Sequence, residues 1–385
     1  MTEHADYRGE AEDYATRCPA EPATGDDITG AEGALVISIP AAKYPAGKTA
    51  TAKDADLTAG NIKAAVTIFG VDGTFEGEVC TYTGFLWHRD AGILDAQGTL
   101  FAVAVFNGKL YAGTYPGGRL FEWNGSDAWA QKAAQLDSQT YVYRLAVLGE
   151  KLYGVTCPGG RLFEWNGSDA WVQKAPMLDS QAYLFSMAVF NGKIYSMTNP
   201  NGRLFEWNGS DAWAQKAAQL DSQDRSYAIV EFNGKLYAGT APGGRLFEWN
   251  GTDAWAQKAA QLEAQTYIFS MAVFNGKLYA GTYPGGRLFE WNGSDAWAQK
   301  APTLSGQSGI YSMIEYDGKL YGGTGSGGRL FEWNGSDAWV EIATGVDSSL
   351  WIYNMADMGG RLYGTTGTGG ALLGLWAGNP YDTSP

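Results

Sequence analysis

Residues suited to acid–base or nucleophilic chemistry are few in this sequence, and their spacing does not group them. The two histidines are His4 and His88, and the three cysteines, Cys18, Cys80 and Cys157, include no CxxC pair. A structural zinc site is therefore not expected, although Cys18 and Cys80 could form a disulfide. Catalysis needs a few unlike groups that converge on one pocket, whereas most polar residues here recur at a fixed interval. The sequence predicts no catalytic residue, no metal site and no cofactor.

The interval at which these residues recur is 42 positions, as from Arg119 to Arg161. The segment GRLFEWNGSDAW carries the period, with an alanine in place of the arginine in the last unit: Arg119, Arg161, Arg203, Arg245, Arg287, Arg329 and Ala371. The tyrosine of GKLY recurs with the same period at seven positions from Tyr111 to Tyr363. Periods of roughly 20–50 residues indicate solenoids, propellers or similar arrays.

Each unit contains four strand-like runs that are separated by turn residues. In the fifth full unit these runs are Phe269–Phe274, Lys277–Thr282, Arg287–Trp291 and Trp297–Lys300. Asn-Gly pairs join the first run to the second and the third to the fourth, and they are strong hairpin signals because both residues accept positive φ. Four short strands in about 42 residues are typical of one β-propeller blade.

The two ends of the array complement each other. Trp87 lies 42 residues before Trp129, so GFLWHRDA reads as a fourth strand that has no first three strands before it. At the other end, Trp351–Trp376 supplies three strands without a fourth. Pairing the two pieces would close the ring and remove two exposed sheet edges. The sequence therefore predicts six intact blades and one composite blade.

Two repeated polar groups and one histidine have structural interpretations. Arg119 and Glu122, on the third strand, are expected to point to opposite faces of the sheet and to pair with neighbouring blades. In the turn that begins at Asn124, Asp127 is expected to accept hydrogen bonds from nearby backbone amides. His88 is expected to be a strand-edge residue rather than a base.

The positions at which the units diverge form two sets of connections. One set joins the second strand to the third, and the other joins the fourth strand to the next first strand. In a four-stranded meander both sets emerge at one end, whereas the invariant Asn-Gly turns lie at the opposite end. Varied loops on a constant framework are typical of a binding surface, and drift in tolerant loops is the alternative. Aromatic side chains offer large, rigid contact areas. The candidate ligand-binding residues are therefore Tyr115, Tyr141, Tyr183, Tyr267, Tyr283 and Trp351.

The unit resembles kelch-type propeller repeats. A strand with Phe121 and Trp123, a spacer, and Trp129 at the start of the last strand follow that pattern. The Gly-Gly doublet of the kelch repeat appears here as Gly113-Thr114. The resemblance covers residues 84–378 and implies a fold, not a function.

Residues 1–80 differ from the repeats in being acidic, poor in aromatics and rich in Ala, Gly, Thr and Pro. We expect a strand at Ala34–Ile39, a helix at Leu57–Ala65 and a hairpin over Val66–Phe75 that turns at Asp72-Gly73. The stretch DLTAGNIKAAVTIFGVDGTF resembles a module of bacteriophage tail and virion-surface proteins. That resemblance implies attachment of this end to a particle. The alternative is an extension packed on the propeller.

Charge and composition narrow the choice of partners. The net charge of −14 makes nucleic acid a poor partner, because affinity for phosphates depends on Lys and Arg. No secretory signal peptide is visible in the polar start of the chain. No apolar run is long enough for membrane insertion.

Together these patterns predict an all-β chain in two parts. Residues 1–80 form an extended anchoring region, and residues 81–385 form a seven-bladed β-propeller closed by an N-terminal strand. The expected function is that of a virion surface protein, such as a tail fibre or decoration protein, that is homo-oligomeric or present in many copies. The anchoring region would bind other virion or particle proteins, and the propeller would contact a host-surface glycan or receptor. The alternatives are an extracellular or bacterial surface location, a structural decoration protein without a ligand, and a propeller glycosidase or lyase.

Overall fold

The computed structural model describes residues 67–68, 71–72, 85–91, 94, 98–136, 139–178, 183–220, 222–262, 264–343, 351–367 and 369–377. The chain divides into two units, residues 84–377 and residues 1–83 with 378–385. None of the described segments is a helix long and apolar enough to cross a membrane.

The unit that contains the N-terminus is described only at a short antiparallel pair. Strands β1 (Thr67–Ile68) and β2 (Val71–Asp72) pair with Ile68 opposite Val71. Asp72 is thus a strand residue, and the predicted turn at Asp72-Gly73 is wrong. The predicted strand at 34–39 and helix at 57–65 lie outside the described residues, as do His4, Cys18 and Cys80.

The second unit consists of seven antiparallel four-stranded sheets, which are the blades. Strand β3 (Phe85–Ala91) precedes the first of them. Blade 1 contains β4 (Thr99–Phe106), β5 (Lys109–Tyr115), β6 (Leu120–Trp123) and β7 (Trp129–Ala133). Blade 2 contains β8 (Tyr141–Leu148), β9 (Lys151–Cys157), β10 (Leu162–Trp165) and β11 (Trp171–Ala175). Blade 3 contains β12 (Tyr183–Phe190), β13 (Lys193–Asn199), β14 (Leu204–Trp207) and β15 (Trp213–Ala217). Blade 4 contains β16 (Arg225–Phe232), β17 (Lys235–Ala241), β18 (Leu246–Trp249) and β19 (Trp255–Ala259).

The remaining three blades follow the same order. Blade 5 contains β20 (Tyr267–Phe274), β21 (Lys277–Tyr283), β22 (Leu288–Trp291) and β23 (Trp297–Ala301). Blade 6 contains β24 (Ile310–Tyr316), β25 (Lys319–Thr324), β26 (Leu330–Trp333) and β27 (Trp339–Ala343). Blade 7 contains β28 (Ile352–Met358), β29 (Arg361–Thr366), β30 (Leu372–Ala377) and, from the start of the unit, β3.

The ring is closed by the composite blade that the sequence predicts. Strand β3 pairs antiparallel with β30, and Trp87 lies opposite Leu375. The first strands of neighbouring blades contact each other all the way round, and β28 contacts β4. These first strands therefore surround the central channel. The predicted all-β, seven-bladed propeller is confirmed.

Aromatic residues of the repeated motifs hold adjoining blades together. The tyrosine of GKLY packs on the tryptophan of LFEW in the next blade, as Tyr111 does on Trp165 at 5.1 Å between ring centroids. The same contact recurs at 5.1–5.4 Å between most other blades. In blade 7, Leu375 takes the place of the tryptophan and shares a buried cluster with Tyr321. Each aromatic pair contributes roughly 0.5–1.5 kcal/mol beyond its burial.

The glutamate of LFEW is held within its own blade. In blade 1, Glu122 accepts hydrogen bonds from the Tyr111 hydroxyl at 2.6 Å and from Lys109 at 2.9 Å, and Lys132 lies 3.4 Å away. Although burial raises it, the hydrogen bonds from Tyr111 and Lys109 hold the pKa of Glu122 below its ordinary value. The prediction that Glu122 pairs with neighbouring blades is therefore wrong.

The Asn-Gly turn between the third and fourth strands of the six intact blades depends on the side chain of its asparagine. The Asn124 side-chain oxygen accepts hydrogen bonds from the backbone amides of Ser126, Asp127 and Ala128 at 2.8–3.1 Å. Asp127 accepts from the Asn124 amide nitrogen at 2.9 Å and from the Ser126 hydroxyl at 3.0 Å. The predicted roles of Asn124 and Asp127 are thus largely exchanged, since the asparagine binds the run of amides.

Candidate ligand-binding site

A β-bulge near the start of every first strand directs one aromatic side chain toward the central channel. In blade 1, Leu100 pairs with Thr114 and Ala102 pairs with Gly113, so Phe101 is the extra residue. The same irregularity occurs at the equivalent position of the other six blades. Bulges commonly re-aim a side chain next to a functional site. We call the seven bulge residues the aromatic ring: Phe101, Tyr143, Phe185, Tyr227, Phe269, Tyr311 and Tyr353.

Every member of the aromatic ring contacts the next one. The seven centroid distances lie between 4.6 and 6.3 Å, and the last joins Tyr353 to Phe101 at 4.7 Å. Three neighbouring pairs are nearly parallel, with interplanar angles of 21–22°. Since stacked rings cover each other's faces, these pairs present mainly their edges and hydroxyls to the channel.

A second tier of aromatic residues lies beyond this ring, at the end that carries the variable connections. We call it the rim: Tyr115, Tyr141, Tyr183, Tyr267, Tyr283 and Trp351. Tyr183 and Tyr267 each stack on the aromatic-ring residue of their own blade at 5.4 Å. Trp351 contacts Tyr311 at 4.8 Å and remains 37% exposed. The rim is uneven, because blade 4 has Arg225 and Ala241 at these two positions and blade 6 has two glycines.

Residues of the ring and the rim line an open cavity of about 710 Å³. This volume lies within the range of about 300–1,000 Å³ that is usual for ligand pockets. Of the sixteen described residues that line it, twelve are aromatic, and the others are Arg144, Cys157, Ser308 and Ser326. The cavity therefore combines a large aromatic surface with a few polar groups, as small-molecule sites do.

The structure brings the six predicted ligand-binding residues to this one end. Tyr141, Tyr183, Tyr267, Tyr283 and Trp351 line the cavity. Tyr115 is one step removed, because it stacks on Tyr141 at 4.1 Å with an interplanar angle of 11°. Whether any of them binds a ligand stays a prediction.

Sequence reasoning missed the aromatic ring and Arg144. An aromatic residue stands at the position of Phe101 in all seven units, so the period of 42 itself contained the signal. The predicted site rested instead on positions that differ between units, and Phe269 was expected only to begin the strand Phe269–Phe274. Arg144 does differ, because its equivalents are Ala, Ser or Asn, but it lies inside a strand rather than in a connection.

Three tyrosines of the cavity, Tyr141, Tyr143 and Tyr353, stay protonated at neutral pH because their pKa values are raised. Burial raises the pKa of Tyr143 above its ordinary value, and it raises that of Tyr353 to about 12. Burial, with a hydrogen bond to Tyr115, raises the pKa of Tyr141 to about 12. Burial lowers the pKa of Arg144, yet the guanidinium keeps its charge, because arginine ordinarily titrates above pH 12. Arg144 thus carries the formal charge among the described lining residues.

Groups that could catalyse a reaction are scarce around the cavity. The described lining residues include neither a carboxylate nor a histidine. Burial raises the pKa of the Cys157 thiol to about 12, which makes it a poor nucleophile. Over the described ranges, no three His, Cys, Asp or Glu residues come together in a way that could hold a metal ion. His88 pairs with Gly374 through the backbone of β3, and its side chain lies outside the description.

Comparison with known proteins gives the fold alone. No family model matches the sequence, and no curated protein matches it either. Among solved structures, the chain is similar to YCF48 from Cyanidioschyzon merolae, with a TM-score of 0.59 and 14% identity over 76% of this chain and 98% of that one. YCF48 has also been solved bound to a D1 peptide.

Two further similar structures come from bacteria. A catalytically inactive virginiamycin B lyase from Staphylococcus aureus, solved with quinupristin, has a TM-score of 0.64 and 8% identity over 76% of this chain and 98% of that one. The extracellular domain of the two-component system protein BT4673 from B. thetaiotaomicron has a TM-score of 0.61 and 16% identity over 76% of this chain and 40% of that one. At these identities the likeness extends to the propeller and not to its function.

Proposed function

We propose that this chain is a non-enzymatic virion or particle surface protein whose propeller binds a host-surface glycan in the aromatic cavity. The observation that carries the proposal is the cavity itself, formed where the variable connections meet at one end of the channel. Its tyrosines offer hydroxyls for the polar groups of a sugar, and the exposed ring of Trp351 offers an apolar face. A constant framework with one uneven aromatic end suits a binding module.

The composition of the cavity argues against an enzyme. A glycosidase needs two carboxyl groups beside the scissile bond, and the described lining residues supply none. Because the fold is similar to that of virginiamycin B lyase, lyase activity is an alternative function for this chain. A lyase, however, also needs a base that is positioned to remove a proton. Neither the Cys157 thiol nor the Tyr143 hydroxyl, whose pKa values are raised by burial, meets that need at neutral pH.

Two alternatives concern binding. YCF48 has been solved with a peptide, so a protein segment is the second candidate ligand for this cavity. A decoration protein without any ligand is the other alternative, and in it the aromatic ring would only fill the channel. The kelch resemblance does not choose between these functions, because it concerns the blade alone.

The glycan proposal is tested by an array on which the full-length protein is displayed in many copies. Multivalent display is needed because a single contact of this kind is weak. Tyr115→Ala and Tyr283→Ala should each reduce glycan binding, because they remove rim aromatics. Ser126→Ala and Ser294→Ala, at the opposite end of the blades, are the matched controls and should bind as the wild type does. Loss of binding only in the serine variants would show that the wrong end was chosen, and binding to peptides but not to glycans would favour the second candidate.

The attachment half of the proposal depends on residues 1–80, which the structure describes only at β1 and β2. Their composition and the phage-like stretch support an anchoring role. A truncated protein that starts at Thr81 should fold, since it retains β3 and every blade, but it should not assemble onto its particle. Normal assembly of this truncated protein would overturn the anchoring role and leave the glycan site untouched.

A further inference from the structure

Arg144 stands where the other blades have a small side chain. The equivalent residues are Ala102, Ser186, Ala228, Ser270, Ser312 and Asn354. In three of these blades the serine hydroxyl donates to a backbone carbonyl of the next blade's first strand, at 3.0–3.1 Å. Six blades therefore form without an arginine at this position, and the framework does not require one.

The guanidinium of Arg144 turns toward the cavity, where it has little to satisfy its charge. Its Nη1 donates to the carbonyl of Tyr143 at 3.0 Å, and its Cζ lies 4.8 Å from the centroid of the Tyr143 ring. Within the described part of the chain, no carboxylate pairs with it. An arginine carries five N–H donors, and the partly exposed Arg144 guanidinium therefore keeps donors that a ligand in the cavity can reach.

The surroundings of Arg144 suit a negative charge as well. The nearly parallel pairs of the aromatic ring turn their edges to the channel, and the edge is the positive part of an aromatic quadrupole. Tyrosine hydroxyls that line the cavity can donate hydrogen bonds. The exposed aspartates of the Asn-Gly-Ser-Asp turns and their Asn-Gly-Thr-Asp copy lie at the opposite end of the blades: Asp127, Asp169, Asp211, Asp253, Asp295 and Asp337. These six carboxylates are thus remote from the cavity, whereas the exposed Asp224 lies at the rim end, beside Arg225.

We infer that the cavity binds an acidic sugar, whose carboxylate is held by the Arg144 guanidinium while tyrosine hydroxyls bind the sugar's hydroxyls. A guanidinium binds a carboxylate through two parallel hydrogen bonds, which gives both strength and orientation. This inference deepens the proposed glycan binding and depends on it, because it names the class of glycan.

The test uses two pairs of probes, of which the first differs only in a carboxylate and the second by a whole acidic sugar residue. They are methyl β-glucuronide with methyl β-glucoside, and 3′-sialyllactose with lactose, titrated into the full-length protein by NMR. The acidic member of each pair should bind at least about tenfold more tightly, since a hydrogen-bonded ion pair contributes roughly that much or more. Raising the salt concentration from about 50 to 500 mM should weaken only the acidic member.

The variants separate Arg144 from charge in general. Arg144→Ser and Arg144→Ala install residues that other blades already contain, and either should lower affinity for the acidic probes about 10- to 100-fold and abolish the preference. Arg144→Lys should retain part of the affinity, because lysine is a point charge without the guanidinium fork. Arg119→Ala is the control, because it installs the alanine that blade 7 has at Ala371 and removes an equal charge outside the cavity lining. It should leave the affinity for every probe unchanged.

Each remaining outcome is decisive. If acidic and neutral probes bind equally, or if Arg144→Ser binds as the wild type does while Tyr283→Ala is weakened, the acidic-sugar inference is wrong and glycan binding stands. If Arg119→Ala loses as much affinity for the acidic probes as Arg144→Ser does, their binding depends on the overall charge of the protein and not on Arg144. That result would also overturn the inference. If neither probe of either pair binds and the array is blank, both the inference and the proposed function fail.

Discussion

The sharpest stability prediction concerns a size match where adjoining blades meet. In four blades the second strand places a glycine against a β-branched residue of the next blade: Gly113 against Val142, Gly239 against Ile268, Gly281 against Ile310, and Gly323 against Ile352. At the equivalent position of blade 3 the pair is Met197 and Ser226. In blade 3 the large and small partners are exchanged, whereas blades 2 and 7 fit Val155 with Leu184 and Thr365 with Leu100, so residue identity is not fixed at this contact.

Gly281→Met should destabilise the protein by overfilling this contact. A Cβ at position 281 would lie 2.8 Å from Cγ2 of Ile310 and 2.6 Å from Oγ of Ser270. Ile310 is fully buried and has no room to move. Overpacking of this kind costs about 3 kcal/mol, and Ile310→Ser alone costs about 3 kcal/mol because it leaves a cavity beside the glycine.

The double variant Gly281→Met/Ile310→Ser recreates the pair of blade 3. Blade 5 resembles blade 3 here, since Ser186 and Ser270 both donate to the next blade. Independent effects would sum to about 6 kcal/mol, whereas the recreated pair should cost about 3 kcal/mol, a coupling of about 3 kcal/mol.

Urea unfolding followed by tryptophan fluorescence measures the free energy of unfolding of each variant. Gly281→Met/Val142→Ser is the control, because Val142 belongs to another contact, and its effects should add within about 0.5 kcal/mol. If Gly281→Met/Ile310→Ser is as unstable as the sum of its single variants, the size-match argument is refuted.

The remaining predictions concern closure, pH and the buried thiol. Trp87→Ala should cost about 3–5 kcal/mol of unfolding free energy, because Trp87 is buried in the closing strand, whereas the exposed Trp351→Ala should cost under about 1 kcal/mol; equal costs would contradict the composite blade. Burial raises the pKa of Glu206, but its hydrogen bonds from Lys193 and Tyr195 outweigh burial and leave it lowered. A carboxylate whose pKa is lowered in the folded state stabilises the protein above its unfolded-state pKa of about 4.3. This stabilisation is lost as the pH falls through the folded-state pKa. The urea concentration at the unfolding midpoint should therefore decrease as the pH is lowered below about 4.5. Glu206→Gln should make this decrease with pH less steep rather than leave it unchanged. Cys157 should resist iodoacetamide in the folded protein at pH 8 and react in urea, as read by peptide mass spectrometry, and rapid native labelling would refute its burial.

The sequence was enough to predict the blades because their determinants are local and periodic. In the fifth unit the predicted Phe269–Phe274 is observed as Tyr267–Phe274, and Trp297–Lys300 as Trp297–Ala301. Turn residues fix hairpins over a few positions, and the 42-residue offset of Trp87 sets the closing strand. Among the described residues, the short hairpin near Asp72 was displaced, since nothing repeats there to confirm its register.

The site was harder to predict because it depends on departures from regular strands. A bulge adds one residue to a ladder without a distinctive sequence, so alternation alone did not show that Phe101 and its equivalents face the channel. Glu122 had partners available in its own blade and in the next, and strand spacing does not distinguish between them. Arg144 differs from its equivalents, but its meaning appears only when the cavity around it is known.

The central claim, that the aromatic cavity is the binding site, is tested most directly by a crystal structure of the full-length protein with the glycan that binds best on the array. We expect density for the sugar inside the aromatic ring and rim, with an acidic group beside the Arg144 guanidinium and hydroxyls within hydrogen-bond distance of tyrosine oxygens. Density at the Asn-Gly turn end, or in the groove between blades 5 and 6 near Lys277 and Glu332 with an empty cavity, would contradict it.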